Sequence, residues 1–394
     1  MSGSDQLAYV LINPYTIFKS RTGGVITRLF TRTALDLVAA RMFAPNRELV
    51  EQYAEIVVST KDPQDRKIQD LIRQYILDNY SPDPKTGARR RVMMLVFCGD
   101  NAVKKVREAV GNIRPDKGAA GETIRDTYGD YIVAVDGQVK YFEPAVLAAP
   151  TADEAEIKLK LWAKYSESDG GYLDKAIIYP KNANVEHTLV LLKPDNFRFP
   201  SGRPGNILDM LSRTGLYIVA IKVHRMSVAE AMEFYGPVRD VLRDKLRDIS
   251  GQRARIALEK EFGFGLNPEV ERKLGEIMGI QFADQQFNQI VQFMTGRKPE
   301  DASQTTMAQP GLEKMVAVVY QGPDAVNKIR GVLGPTDPRK APPGTIRREL
   351  GQDIMVNAAH ASDSVDNAKR EMGIIKITED NLKPLVEEFY KCKL

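Results

Sequence analysis

His360 stands in the string Asn357-Ala358-Ala359-His360-Ala361-Ser362-Asp363-Ser364 and is one of three histidines among 394 residues. A lone imidazole beside an apolar segment is usually structural. Here its companions change the reading, because Lys193, Arg330 and Arg347 offer positive charge while Thr336 and Asn357 offer neutral hydrogen bonds. Forked guanidinium groups match phosphate oxygens. An imidazole can attack phosphorus with one nitrogen while a hydrogen bond to the other fixes the tautomer. Transfer of a terminal phosphoryl group spreads charge over three oxygens, so its catalyst mainly positions groups and neutralises charge. The set therefore suits a histidine that receives a phosphoryl group from a nucleotide. No Gly-x-x-x-x-Gly-Lys-Ser/Thr loop occurs, so the phosphates cannot be cradled that way. His187 and His224 fall at strand ends and are expected to serve packing or the surface.

The elements that must position these residues come from a pattern written twice. Ile26 to Ala39 lines up without gaps on Ile207 to Ala220, and an apolar strand ending in Asn13-Pro14 or Lys193-Pro194 precedes each. Ala102 to Arg107 then matches Ala325 to Arg330, and Gly121-Glu122-Thr123-Ile124-Arg125 echoes Gly344-Thr345-Ile346-Arg347. Blocks repeated in the same order imply an internal duplication. In the second copy, strands are expected at His187 to Leu192, Leu216 to Val223 and Met315 to Tyr320, with helical spacing in Gly205 to Ser212 and after Ala325. That order predicts an α+β chain of two ferredoxin-like βαββαβ domains, each an antiparallel sheet covered by helices and each with a helical insertion. The expected bounds are 1–167 and 185–394, joined through Ser166 to Asn184, with the second insertion at about 237–310. This insertion opens with a charged helical stretch, Arg239 to Lys260, where interleaved aspartates suggest local ion pairs, and it ends in a polar, loop-like run from Gly296 to Pro310.

Bulk composition narrows the classes. Hydrophobic content of 43% and charged content of 27% fit an ordinary globular chain, and a net charge of +4 gives no case for nucleic acid or a membrane surface. Cys98 and Cys392 are too far apart in sequence to suggest a disulfide framework or a metal knuckle. The polar start and the lack of an apolar run of roughly 20 residues lead to the expectation of a cytoplasmic protein.

The second copy resembles the nucleoside diphosphate kinases. The resemblance rests on Leu192-Lys193-Pro194-Asp195, on Gly334-Pro335-Thr336-Asp337-Pro338 with Pro343 to Arg347, and on Asn357 to Ser364 followed by Glu371. It implies a ping-pong kinase in which His360 becomes a phosphohistidine held by Glu371, ATP charges it and another nucleoside diphosphate discharges it. Mg2+ would be held mainly by the nucleotide phosphates. The resemblance also places Tyr235 near the phosphates and the base between Phe287 and Ile354. The family usually has glycine after its histidine; Ala361 adds a methyl group that restricts the backbone. Ala361 and the insertion keep a rival in view, a catalytically weak nucleotide-binding regulator or scaffold, or a protein-histidine phosphotransfer protein.

Residues 1–186 contain no histidine, so the first copy cannot form a phosphohistidine. Asn13 takes the place of Lys193, and Glu143 to Pro150 corresponds to the catalytic string, whereas Arg107 and Arg125 remain. Those arginines leave anion or nucleotide binding open. The stronger expectation is a structural one, in which the first domain packs on the second as an intramolecular pseudo-dimer, with further homo-oligomerisation undecided.

Overall fold

The computed structural model describes residues 4–60, 62, 64–114 and 121–394. The opening Met1-Ser2-Gly3 of the polar N-terminal stretch lies outside them. The first half runs β1 (Asp5–Ile12), α1 (Pro14–Phe18), α2 (Thr22–Thr33), β2 (Asp36–Phe43), α3 (Arg47–Ile56), α4 (Arg66–Tyr80) and β3 (Val92–Asp100). It continues with α5 (Ala102–Val110), α6 (Ile124–Tyr128), β4 (Asp130–Val133), β5 (Val139–Glu143), β6 (Val146–Ala148), α7 (Ala152–Lys164) and α8 (Ser166–Asp169). The second half begins β7 (Val185–Leu192), α9 (Arg203–Ser212), β8 (Tyr217–His224), α10 (Val228–Phe234), α11 (Gly236–Phe262) and α12 (Pro268–Thr295). It ends β9 (Met315–Pro323), α13 (Ala325–Leu333), α14 (Ile346–Leu350), β10 (Ala359–Ala361), α15 (Val365–Ile374) and α16 (Leu382–Tyr390).

Two sheets share one topology. The first has the strand order β2-β3-β1-β6 and the second β10-β7-β9-β8, so in each the first strand lies between the third and the fourth. Both are α+β arrangements of the ferredoxin-like type, as the sequence pattern predicts. The central strands β1 and β7 end in unbroken buried runs, Leu7–Ile12 and Thr188–Leu192, which is what a strand flanked on both sides requires. Pairing of β1 with β3 and β6, and of β7 with β9 and β10, is antiparallel throughout. A further hairpin, β4 with β5, has no counterpart in the expected element list.

The chain separates into two compact units, residues 1–223 with 316–394, and residues 224–315. In the larger unit both sheets draw on one contiguous core. Helix α2 crosses α9 at Gly23 and Gly205, where a Cβ on Gly23 would sit 2.5 Å from the Gly205 carbonyl oxygen. Only glycine permits that approach. Thr27 Oγ1 donates to the Gly202 carbonyl at 3.2 Å beside the crossing, and Phe30 meets Phe197 at 5.9 Å. The stretch expected as a linker is tied down: Phe43 bridges Gly170, and Leu173 N donates to the Val219 carbonyl at 2.8 Å.

In the smaller unit, α11 and α12 approach closely at Gly251, Gly275 and Gly279; a Cβ on Gly251 would lie 2.6 Å from the Glu271 carbonyl oxygen. The expectation of ion pairs along one helix is only partly met. Arg239 and Arg243 both reach across to Asp284 of α12, at 2.9 and 3.0 Å, and Arg255 reaches Glu271 at 2.9 Å. Arg247 and Asp244 stay within α11. The polar run at 296–310 folds into short turns, and Ala229 N donates back to the Met307 carbonyl. Among the described residues no helix is long and apolar enough to cross a membrane. Cys98 is buried and Cys392 half-buried, both free thiols.

Candidate functional site

His360 is the middle residue of β10, paired with Leu191 at the end of the central strand β7. One position past that strand comes Lys193, so the register that pairs the two strands also brings the imidazole strand beside the ammonium. Lys193 N donates to the Ala358 carbonyl at 3.0 Å, and Ala358 takes a left-handed φ of 70° to turn the chain into β10. His360 Nε2 lies 3.0 Å from Glu371 Oε2, and the His360 side chain is 24% exposed against 6% for Glu371. Glu371 comes from the second turn of α15, a helix started by the Ser364 hydroxyl accepting from Asn367 N. The same carboxylate oxygen accepts from Ser362 Oγ at 2.6 Å. Ser362 was not singled out from the sequence, although period-two alternation puts it on the face of the strand that His360 occupies. It locks Glu371 and is itself fully buried.

Lys193 is buried at the strand end and donates from Nζ to the Met355 carbonyl at 2.6 Å and to Asn357 Oδ1 at 2.9 Å. Asn357 in turn donates from Nδ2 to the carbonyls of Thr336 and Ile354, at 3.1 and 2.7 Å. Thr336 thus joins through its backbone, and its own side chain faces solvent. Burial pushes the Lys193 ammonium down to about 8, with Arg347 adding to the fall and Asp195 opposing it. Arg347 staples the loop: Nη1 donates to the Gly334 carbonyl at 2.9 Å and Nη2 to the Ala359 carbonyl at 3.0 Å. A hydrogen bond from Asn367, helped by one from Ser364 and by the charge of Arg330 exposed on α13, holds the Asp363 carboxyl below its usual range. Lys193, Arg347, Asn357, His360 and Glu371 are therefore linked through one loop and strand end, with Thr336 joined by its carbonyl.

Ile354 is exposed in that loop. Tyr235 and Phe287 belong to the smaller unit. Tyr235 caps α10, with its ring 4.9 Å from Phe234, and Phe287 is fully buried in α12 under the Arg239 guanidinium at 5.4 Å. The other two histidines have packing partners, His187 against Gln321 and His224 against Glu230. Ala361 pairs with Val190 in ordinary strand geometry, a backbone that alanine adopts without strain.

In the first sheet the register identifies what replaces each group. Asn13 N donates to the Ala145 carbonyl as Lys193 N does to Ala358, and Ala145 has the matching φ of 61°. Leu147 pairs with Leu11 as His360 pairs with Leu191, so leucine occupies the histidine position. End-to-end alignment of the two strings would put Val146 there; the pairing moves the match by one residue. Counting from the helix caps Thr151 and Ser364 places Lys158 where the second sheet has Glu371. Asn13 is sealed in a buried network with Glu143, Tyr75 and Tyr80. Arg125 repeats the staple of Arg347, donating to the Gly111 and Val146 carbonyls.

Comparison with known proteins bears on the family of the second half. The family model for nucleoside diphosphate kinase matches residues 269–379. The nucleoside diphosphate kinase of Staphylothermus marinus is 30% identical over 192 residues, spanning 49% of this chain and 93% of that protein. That of Campylobacter hominis is 30% identical over 188 residues, with 48% and 93% covered. The crystal structure of the Aquifex aeolicus nucleoside diphosphate kinase matches with 27% identity and a TM-score of 0.30, covering 50% of this chain and 98% of that one. With nearly the whole length of such relatives present, the chain belongs to the nucleoside diphosphate kinase family.

Proposed function

We propose that the chain transfers the terminal phosphoryl group of a nucleoside triphosphate, ATP among them, to a nucleoside diphosphate through a phosphohistidine at His360. The observation that carries this reading is the His360 Nε2 to Glu371 contact of 3.0 Å. With Nε2 donating to a buried carboxylate, attack falls to Nδ1, and Glu371 stabilises the positive charge the ring gains. In the first half-reaction the Nδ1–phosphorus bond forms as the bond from phosphorus to the bridging oxygen breaks, and the nucleoside diphosphate departs with that oxygen. A second diphosphate reverses the step with its own terminal oxygen as nucleophile. Lys193 and Arg330 neutralise the phosphate oxygens, and Asn357 holds Lys193 in place. The site's donors are cations and amides, which suit phosphate oxygens, so Mg2+ in this reading arrives on the nucleotide and supplies charge neutralisation there.

The first domain, in the same reading, is a duplicated copy that no longer transfers phosphoryl groups and serves as a built-in packing partner. The shared strand order and the close α2–α9 crossing support it. A cytoplasmic location also belongs to the proposal. The direct test is incubation with γ-labelled ATP, which should leave an acid-labile, alkali-stable phosphoprotein that is lost in His360→Ala. Label retained in that variant overturns the assignment.

A further inference from the structure

The first domain contains a cavity of ≈ 890 Å3 that no step of the phosphoryl transfer uses. Its wall includes Arg107, Arg125 and Lys104 together with Leu147 and Lys158, the residues standing where the second sheet carries His360 and Glu371. Apolar surface comes from Val57, Ile72 and Ile113, with the Tyr9–Tyr53 hydroxyl pair beside them. The size lies within the range that encloses a small ligand of several rings or phosphates.

The wall holds four cations, Lys104, Arg107, Arg125 and Lys158, and four carboxylates, and they differ in how they are engaged. Glu122 faces Arg32 at 3.5 Å, Asp126 caps α6 with Thr123, Asp62 accepts from Gln64, and Glu108 is exposed on α5 beside Arg107. Lys158 pairs with Glu154 at 2.9 Å, both buried. Among the described residues, Arg107 donates to the Pro150 carbonyl, Arg125 donates to the Gly111 and Val146 carbonyls, and Arg125 Nε is buried without a hydrogen-bond acceptor. Burial and the like charge of Arg107 both disfavour the charge on Arg125. Arg125 is held by its loop staple, whereas Arg107, with Lys104 beside it on the wall, keeps donors for an anion. The cavity also borders Thr151 and Ala152 at the start of the 13-residue helix α7, whose first turn already carries Asp153 and Glu154.

We propose that this cavity binds a nucleoside di- or triphosphate and retains it without phosphoryl transfer, giving the chain a second nucleotide site that is not catalytic. Leu147 supplies no nucleophile, and Lys158 stands where a carboxylate would have to hold one. The site stands independently of whether His360 is phosphorylated.

The test uses the full chain and MgADP as probe, by calorimetry and by hydrogen exchange. Two equivalents should bind, and Arg107→Glu should weaken one of them about tenfold or more while His360 is still labelled by ATP. A single equivalent that Arg107→Glu removes and Arg330→Glu spares also supports this site, and tells against nucleotide binding in the second domain. A single equivalent that Arg330→Glu removes and Arg107→Glu spares overturns it. Should Arg107→Glu fail to fold, exposed Lys104→Glu and exchange on the unaltered chain decide. ADP should then slow exchange over residues 104–113 and 121–126, and protection confined to 185–394 refutes the proposal.

Discussion

The buried ammonium of Lys193 should make the proposed phosphoryl transfer sensitive to alkali. Burial sets its pKa at about 8, well below the ordinary 10.5. Above that value the charged fraction falls roughly tenfold per pH unit. The neutral amine still donates to Met355 and Asn357 but offers a phosphate no charge, so kcat/KM for ATP should decline above pH 8 and stand about tenfold lower at pH 9. Bound triphosphate stabilises the ammonium, so the corresponding limb in kcat should lie at higher pH. Stability moves in the opposite sense. Between the folded value of about 8 and the unfolded one the unfolded chain binds more protons, so stability rises with pH through that window by ~1.4 kcal/mol per unit relative to Lys193→Met. The assay is rapid-quench phosphoenzyme formation from γ-labelled ATP between pH 6.5 and 10, on the unaltered chain and on Lys193→Arg. Arginine stays charged throughout, so its profile should be flat at whatever rate its geometry allows. A flat profile in the unaltered chain, or an identical limb in Lys193→Arg, refutes the reasoning.

Three other outcomes are expected. Glu371→Gln removes a charge-assisted contact of about 1.5–3 kcal/mol, which should slow phosphoenzyme formation roughly ten- to a hundredfold; quench-flow rates within twofold of the parent would deny Glu371 its holding role. Gly23→Ala forces a Cβ to 2.5 Å from the Gly205 carbonyl oxygen, so urea denaturation should show a loss of about 1–3 kcal/mol, and an unchanged midpoint would mean that α2 and α9 do not cross there. Ala358 holds φ at 70° and Ala361 lies in a strand, so Ala358→Gly should stabilise by about 1 kcal/mol whereas Ala361→Gly should leave the labelling rate unchanged; a faster Ala361→Gly enzyme would restore the view that its methyl group restrains the site.

The fold was legible because its central strands are written as unbroken apolar runs bounded by Asn13-Pro14 and Lys193-Pro194, and because the helices between them keep buried residues at helical spacing. Features set by tertiary approach were not. The aspartates beside Arg239 and Arg243 suggested pairs along one helix, whereas α12 brings Asp284 to both, and helix packing decides between those partners. The β4–β5 hairpin escaped notice because its residues are mostly exposed, so no buried face imposes a period on them.

The site shows where residue type stops being informative. Histidine and lysine at 360 and 193 could be singled out from their company, whereas glutamate at 371 was implied only by the family resemblance, and the structure sets its carboxylate 3.0 Å from the imidazole. Arginine is ambiguous, because its fork binds two carbonyls as readily as two phosphate oxygens. Arg347 and Arg125 donate to corresponding carbonyl pairs in the two sheets, so the presence of Arg125 in the first domain follows from its loop staple and needs no ligand. Arg107 is different. Among the described residues its one backbone contact, to the Pro150 carbonyl, leaves most of the guanidinium's donors for other partners, and it lies with Lys104 on the wall of a cavity where Leu147 and Lys158 stand in place of the histidine and the glutamate. Of the two arginines shared between the halves, Arg107 is therefore the one whose charge bears on ligand binding, and its replacement discriminates a retained nucleotide pocket from a folded remnant.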